Sequence, residues 1–561
     1  MNSIQLKAVP HTARHRTSTL ALTSFMAVAF LTGFVLTTQA QTVTTLYTFS
    51  SNNNTQPIMP FGTMAQGRDG AFYGISQSGN GCCQGWFYKV DSTGAQTPLH
   101  AMTSAEGTNC NGLTLGTDGN FYGTCFSGGT NSFGTLFKAT PNGTVTVLHN
   151  WNCATDGGFP LAPPIQGSDG SFYGTTYFCG GTELGRVYKY TLAGKYTSLY
   201  SFKGPPTDVQ NPHGLVQGSD GNFWGMGDQG GVDSGNGGVF KITPAGIEKV
   251  VYTFMGGTDG QNPYTSLIQG SDGSYYGTTE GGGGTLDGTI FKLTPNGVEK
   301  VLYNFSDQTE GAFPRLPLTQ GPDGLLWGIA TDCIGGGCSQ AGIFTITTMG
   351  VYDNIYLYPI IEGNNNSLPY SPLLLSTDGT FYSVTEGGGS KGVGTFYSVS
   401  TTYAPFISLV NVRSGEEGAQ IGILGQGFSA SSVVKFGGTV ATTTQRTGNT
   451  FIQATVPPGA LTGKVTVTTG ATTLSTNAIY KIIPQVITFS PASGTVGTVV
   501  TITGTGLKQA TSVKFNGKAA VFAVHSDTNI TATVPAGATS GTISVTTKGG
   551  EAASSAKFTV N

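Results

Sequence analysis

The sequence predicts an all-β protein, a seven-bladed β-propeller followed by two small β-sandwiches. Three observations predict it. A turn-and-strand phrase recurs through residues 68–383 at steps near fifty residues, and a different repeat of about eighty residues fills the C-terminal third. The chain also holds 87 Gly, only 10% charged residues and no long segment of helical periodicity. Short strands joined by many tight turns need such a composition.

In chain order, residues 1–40 read as a signal peptide. Lys7, Arg14 and Arg16 form a basic lead, and Leu20 to Leu36 is mostly apolar, broken by Thr23, Ser24, Thr32 and Gly33. Thr38-Gln39-Ala40 then offers small residues at the cleavage positions. A retained anchor is the rival reading, and the run is short for spanning a bilayer. No later segment is apolar enough to span, and the last residues, AKFTVN, are not a hydrophobic tail. The expectation is a bacterial exported protein, secreted or held at the cell surface by its own domains. Without residues 1–40 the chain has 521 residues, too many for one core, and its formal charge moves from -3 to -6. With no Lys/Arg cluster, that balance argues against a nucleic-acid partner.

The propeller is expected over residues 41–403. Its phrase appears as RDGAFYG (68–74), TDGNFYG (117–123), SDGSFYG (168–174), SDGNFWG (219–225), SDGSYYG (271–277), PDGLLWG (322–328) and TDGTFYS (377–383). The steps between Asp69, Asp118, Asp169, Asp220, Asp272, Asp323 and Asp378 are 49, 51, 51, 52, 51 and 55 residues. A fixed period of that size marks a repeat architecture. Residues 265–306 show four strands per period: TSLIQG, SYYGTT, GTIFKLT and VEKVLYNFS, with Ser-Asp-Gly and Pro-Asn-Gly turns closing the hairpins. Such repeats build propellers. The segment TVTTLYTFS (42–50) reads as a fourth strand with no third before it, and GTFYSVS (394–400) as a third with no fourth after it. Together they complete one blade and shut the ring, leaving no open sheet edge.

Alternation places the short turns, between strands one and two and between three and four, on one face. The variable loops between strands two and three, and those leading into each blade, share the other face. Recognition is expected there.

All eight cysteines are assigned to the variable loops: Cys82, Cys83, Cys110, Cys125, Cys153, Cys179, Cys333 and Cys338. An even count in an exported chain favours disulfides. Cys110–Cys125 and Cys153–Cys179 are the preferred pairs; Cys333–Cys338 staples its own hairpin, and Cys82 and Cys83 are vicinal or cross-paired. No paired CxxC spacing with nearby histidine favours a metal instead.

At Pro405 the phrase stops. PFISLVNVRSGEEGAQIGILGQGF (405–428) aligns with PQVITFSPASGTVGTVVTITGTGL (484–507) at an offset of 79. VVKFGG (433–438) matches SVKFNG (512–517), and ATVPPGALTGKVTVTTG (454–470) matches ATVPAGATSGTISVTTKG (532–549). Each unit, 404–483 and 484–561, reads as a β-sandwich. They resemble IPT/TIG domains, which implies immunoglobulin-like modules serving as spacers or interaction modules. The first copy has Val412 where the second has Pro491, so its opening turn is expected to differ. The propeller repeats, with DG-[FY]-YGTT, a GG loop, G-x-[VI]-FKIT and LY-x-F, resemble the GloVer tandem repeats of bacterial exported proteins. That resemblance implies surface location and no particular chemistry.

Asp69, Asp118, Asp169, Asp220, Asp272, Asp323 and Asp378 are read as turn residues: Asp before Gly accepts a backbone N–H, whereas a calcium loop needs several oxygen ligands. Glu106, Asp156, Asp208, Asp259, Glu310 and Glu362 recur in the lead-in loops. They either make turns or form a ring of carboxylates near the channel mouth, able to hold a cation or act on a sugar. Six recurrences favour turns, because catalysis needs only two unequally tuned carboxyls. Phe126, Tyr177 and Phe178 are candidate binding aromatics of that face. Trp224 and Trp327 stand in for the repeat tyrosine as blade core. His100 and His149 read as packing residues, and His213 and His525 as isolated ones. No HExxH, nucleophilic triad, P-loop or dinucleotide fingerprint is present, so no cofactor is expected. The expectation is a non-enzymatic surface protein that binds polysaccharide or another surface protein through its variable face, with the sandwiches as stalk. A polysaccharide hydrolase or lyase is the second reading, and a structural envelope protein the third.

Overall fold

The computed structural model describes residues 41–561 apart from 51–55, 79–83, 180–183, 232–234, 307–311, 331–340, 359–368 and 411–412. Among the described residues there is no α-helix, only two single 3-10 turns at Gly257–Asp259 and Leu507–Gln509. No helix there is long and apolar enough to cross a membrane.

The repeat region is propeller-like. In the template period, strands Ile268–Gln269, Tyr275–Thr279, Thr289–Leu293 and Glu299–Asn304 form one antiparallel sheet in that order. Other periods form the same sheet, and two of them merge into one eight-stranded sheet through a parallel bridge between Thr63 and Gly112. Strand Val43–Thr48 pairs antiparallel with Thr395–Val399, so the two ends of the region finish one sheet. Neighbouring sheets are also tied through side chains near their inner edges. Thr124 Oγ1 donates to Ala162 O at 2.9 Å, Thr278 Oγ1 to Pro314 O at 2.8 Å, and Gln66 Nε2 to Ser376 Oγ at 3.0 Å across the closure.

The repeated aromatic pair explains why these sheets pack. Side chains alternate across a strand, so consecutive residues face opposite neighbours. Phe172 stacks back on Tyr122 at 3.8 Å between centroids, while Tyr173 stacks forward on Phe223 at 4.0 Å. Trp224 continues the series onto Tyr275 at 4.1 Å, and Trp327 onto Phe381 at 4.6 Å. Each pair adds about 0.5–1.5 kcal/mol beyond its buried area. The Gly that follows makes room for the third strand: a Cβ on Gly174 would lie 2.4 Å from Tyr188 Oη. Ser383, in its place in the last period, instead donates to Ser371 O at 2.9 Å.

Two disulfides are present among the described residues, Cys110–Cys125 and Cys153–Cys179. The first differs from the loop placement expected for it. Cys110 and Cys125 sit inside strands Thr108–Leu115 and Phe121–Ser127 as direct register partners, because those strands run further toward the variable face than in the template. Cys82, Cys83, Cys333 and Cys338 lie outside the described residues.

Beyond residue 404, two pairs of facing sheets follow. The first encloses Ile421, Ile423, Val434, Phe436, Ile452 and Val467; the second encloses Val500, Ile502, Val513, Phe515, Ile530 and Val545. Val412, expected to alter the first opening turn, lies outside the described residues. The first sandwich is not a free stalk: it lies against the short-turn face of the repeat region. Thr450 Oγ1 donates to Arg68 O at 2.6 Å, and the Arg68 guanidinium lies 4.2 Å over the Phe451 ring. Val410, Leu424 and Phe451 share one apolar cluster with Ala65, Ala71 and Tyr73.

Candidate functional site

The Asp-Gly turns hold their own carboxylates in structural contacts. Asp169 Oδ1 accepts the Ser171 N–H at 3.0 Å, and Oδ2 accepts from Tyr173 Oη at 2.8 Å and Lys189 Nζ at 2.7 Å. Burial raises the Asp169 pKa, but these donors outweigh it and hold the carboxyl below its usual range. Asp69 and Asp272 repeat all three contacts. Asp118 and Asp378 keep the backbone and tyrosine contacts. Asp220 faces Lys241 at 3.8 Å. Asp323, whose period has Trp327, receives its phenol from Tyr403 at 2.8 Å. Sequence reasoning missed a partner of these turns. Gln166 Oε1 accepts the Thr117 N–H at 2.8 Å and its Nε2 donates to Gly170 O at 2.9 Å, so it clamps the preceding turn and its own. Gln217, Gln269 and Gln320 do the same. The signal was the repeated Gln directly before the Gly of the phrase.

The lead-in acids are likewise drawn into their own loops. Glu106 binds His100 at 3.0 Å and the Thr103 N–H at 2.9 Å; Asp156 binds His149 and the Asn152 N–H, both at 2.7 Å. Asp208 accepts from Tyr200 Oη at 2.7 Å and Lys203 N at 2.9 Å, Asp259 from Tyr252 Oη at 2.6 Å and Met255 N at 2.7 Å. Each acid fastens a fourth-strand ring and the turn after it, on the sheet's far edge from the first strands, and the structure does not gather them into a central ring. His100 and His149 are thus acid partners rather than mere packing. Glu310 and Glu362 lie outside the described residues.

A different set converges where the first strands meet on the variable face. Phe61, Asn111, His213, Tyr264 and Arg315 each stand two residues after a left-handed turn residue and form one structural column, with Tyr370 packed against Phe61. The turns themselves put Met59, Asn109, Asn211, Asn262 and Phe313 at φ between 50° and 55°. Such strain costs of order 1–3 kcal/mol per residue and gathers at sites. The N–H of Asn211, Asn262 and Phe313 pins each turn to the preceding period, at Leu184 O, Asn236 O and Asp287 O.

His213, read from sequence as isolated, lies at the centre. Its Nε2 is 3.3 Å from Asp228 Oδ2, which also accepts from Tyr177 Oη at 2.7 Å. The Tyr264 ring packs at 4.5 Å from the imidazole and is 38% exposed. Beside it Arg315 pairs with Glu280, and Tyr370 lies 6.0 Å from Phe61. Burial, then the Asp228 and Glu280 carboxylates, raise the Tyr264 phenol pKa; burial raises the Glu386 carboxyl. Asp228 Oδ1 and Asn211 Oδ1 are buried without a hydrogen-bond donor among the described residues. Of the predicted aromatics, Tyr177 belongs to this mouth. Phe126 and Phe178 pack on Phe159 at 5.0 and 6.3 Å, with Phe178 39% exposed. His525, in the second sandwich, has its Nε2 2.7 Å from Thr531 Oγ1. Among the described residues no three His, Cys, Asp or Glu side chains cluster to hold a metal. The mouth therefore presents the exposed Tyr264 ring and an Arg–Glu pair around two buried acceptor oxygens, a set suited to a polyhydroxylated ligand.

Among solved structures, a fungal alcohol oxidase of the AA5 family in complex with copper is 14% identical, with 93% of this chain and 98% of that one covered at a TM-score of 0.43. PorZ, a bacterial surface component of the type-IX secretion system of Porphyromonas gingivalis, is 12% identical, with 74% and 58% covered at 0.39. A surface glycan-binding protein from Prevotella bryantii is 19% identical over 28% of this chain and 40% of its own, at 0.22. Likenesses this distant carry no inference about activity. No curated protein matches the sequence. Residues 484–560 match the IPT/TIG domain. The Gloeobacter/Verrucomicrobia repeat matches residues 32–208 and 163–397, more than half the chain, and the protein belongs to that family.

Proposed function

We propose that the protein is an exported, non-enzymatic surface protein whose repeats close as a seven-bladed propeller over residues 41–403 and bind polysaccharide at the mouth around His213 and Tyr264. Residues 404–483 and 484–561 are its two sandwich domains. One observation carries the binding site: an exposed ring, Tyr264, beside a buried carboxylate oxygen, Asp228 Oδ1, that has no hydrogen-bond donor among the described residues. A buried acceptor of this kind costs about 1–3 kcal/mol unless a donor meets it, and sugar hydroxyls are donors. Aromatic faces supply the apolar half of such a contact. The test is a panel of soluble polysaccharides assayed for both retention and product release. Retention without products, weakened roughly tenfold or more by Tyr264→Ala, is expected, about the loss of one anchoring aromatic. Retention unchanged by Tyr264→Ala and by Asp228→Asn defeats the proposal.

A second reading, a polysaccharide hydrolase or lyase, is favoured by one feature. Glu386 is held neutral to higher pH by burial, as a general acid must be, on the same face as the carboxylates of Asp228 and Glu280. Product release abolished by Glu386→Gln establishes that reading instead.

A further inference from the structure

On the opposite face, the first sandwich and the Asp-Gly turns enclose a cleft of about 680 Å³, within the range of small-ligand sites. Its polar lining comes from both partners: Ser168, Ser219 and Ser271 from the turns, Arg413, Asn477 and Lys481 from the sandwich. We propose that this cleft binds an oxyanion-bearing ligand, either the carboxylate of a uronate or a phosphate monoester.

The charge balance points that way. Asp272 is the one acid in the lining, and its carboxylate is already held by Lys292 and Tyr276, both at 2.8 Å. Arg413 makes no ion pair among the described residues. Its side chain is open to solvent in the cleft, where an anion can pair with it. Lys481 gives one N–H to Ser219 O at 3.1 Å and has two more to offer.

The hydroxyls have the same polarity. Ser168 Oγ accepts from Gln217 Nε2 at 3.3 Å, and Ser219 Oγ from Gln269 Nε2 at 3.2 Å. With an acceptor lone pair engaged, each O–H hydrogen is left to donate. Guanidinium, ammonium and serine donors thus face one space that has a single, already neutralised acid. An acceptor-rich anion satisfies them together.

The cations are held in register by the sandwich backbone. Ser414 pairs parallel with Lys481, whose N–H donates to Arg413 O at 2.9 Å. The second sandwich makes the same pairing, between Ser493 and Thr559, with Ala492 and Thr559 at the corresponding positions. The sandwich fold therefore does not require the two cations. They occur in the copy that covers the turns.

The test is calorimetric titration of residues 41–561 with trigalacturonate and, separately, with glucose 6-phosphate, at low and at raised salt. One of the two is expected to bind, more weakly as salt rises. Arg413→Gln and Lys481→Gln should each weaken it roughly tenfold or more, with melting temperature unchanged. Tyr264→Ala, on the far face, should leave it alone, which separates this site from the polysaccharide mouth. Binding of trigalacturonate alone identifies a sugar acid, and of glucose 6-phosphate alone a phosphate ester. Should Arg413→Gln not fold, Arg413→Lys with Lys481→Gln replaces it. The proposal is overturned if neither anion binds, or if binding survives both cation variants.

Discussion

Tyr252 stands between two carboxyl groups. Its Oη donates to Asp259 Oδ1 at 2.6 Å and lies 3.4 Å from Glu299 Oε2. Burial, then the Asp259 carboxylate, push Glu299 up to about 7 from an ordinary 4.5 against the opposing pull of the Tyr252 hydroxyl, and Glu248 rises to about 7 through burial and Asp208. A folded-state pKa above the unfolded value stabilises fully below the unfolded pKa and fades as pH climbs through the folded one. The melting temperature should therefore fall as pH rises from about 5 to 8. Glu248→Gln with Glu299→Gln should flatten that fall; an unchanged pH profile in the double variant refutes the assignment. Asp169 tests a neutral substitution of another kind. Asp169→Asn keeps the acceptor for the Ser171 N–H but sets an amide N–H where Oδ2 accepted from Tyr173 Oη and Lys189 Nζ, so it should cost about 1 kcal/mol. Asp169→Ala removes every contact and should cost about 1–2 kcal/mol in chemical denaturation.

Among the elements, the lead-in loops gain most from covalent bonds, since they carry little regular structure. Cys153–Cys179 ties the loop before one sheet to the loop after its second strand, 26 residues on. Closing such a loop is worth about 3 kcal/mol in the chain-entropy model. Cys153→Ser with Cys179→Ser should expose residues 152–160 to faster amide exchange while leaving strand Phe172–Thr176 protected. Uniform loss of protection would contradict a local role. These pairs were legible in the sequence because each falls within one period. The strands, turns and aromatic pair were legible for a related reason: recurrence exposes what every repeat needs. The same logic hid the mouth. His213, Tyr264 and Arg315 share one column in which neighbouring residues differ, so a search for recurrence passes over them. It pointed instead to Glu106, Asp156, Asp208 and Asp259, which recur because every lead-in turn needs a cap.

For the whole molecule, the apolar contact between the first sandwich and the repeat region should make them unfold as one cooperative body. Phe451 is 2% exposed, stacked by Arg68 on one side and packed with Val410 and Leu424 in the cluster that also holds Ala65 and Ala71. Nothing in the sequence announced this: Arg68, Thr450 and Phe451 each occur once, and a docking surface has no period. Two observables separate a docked sandwich from a tethered one. Phe451→Ala removes a buried aromatic at the junction and should cost about 3–5 kcal/mol, partly relieved if the domains part. Parting should then increase the radius of gyration in small-angle scattering and admit protease to residues 401–406, while the sandwich's own core around Ile423 and Val434 keeps its fold. Arg68→Ala should move both readouts the same way by less, because Thr450 bonds to the Arg68 backbone carbonyl and survives the change. If Phe451→Ala lowers stability with no change in size or cleavage, the residue serves the sandwich alone and the docked arrangement is not what Phe451 maintains.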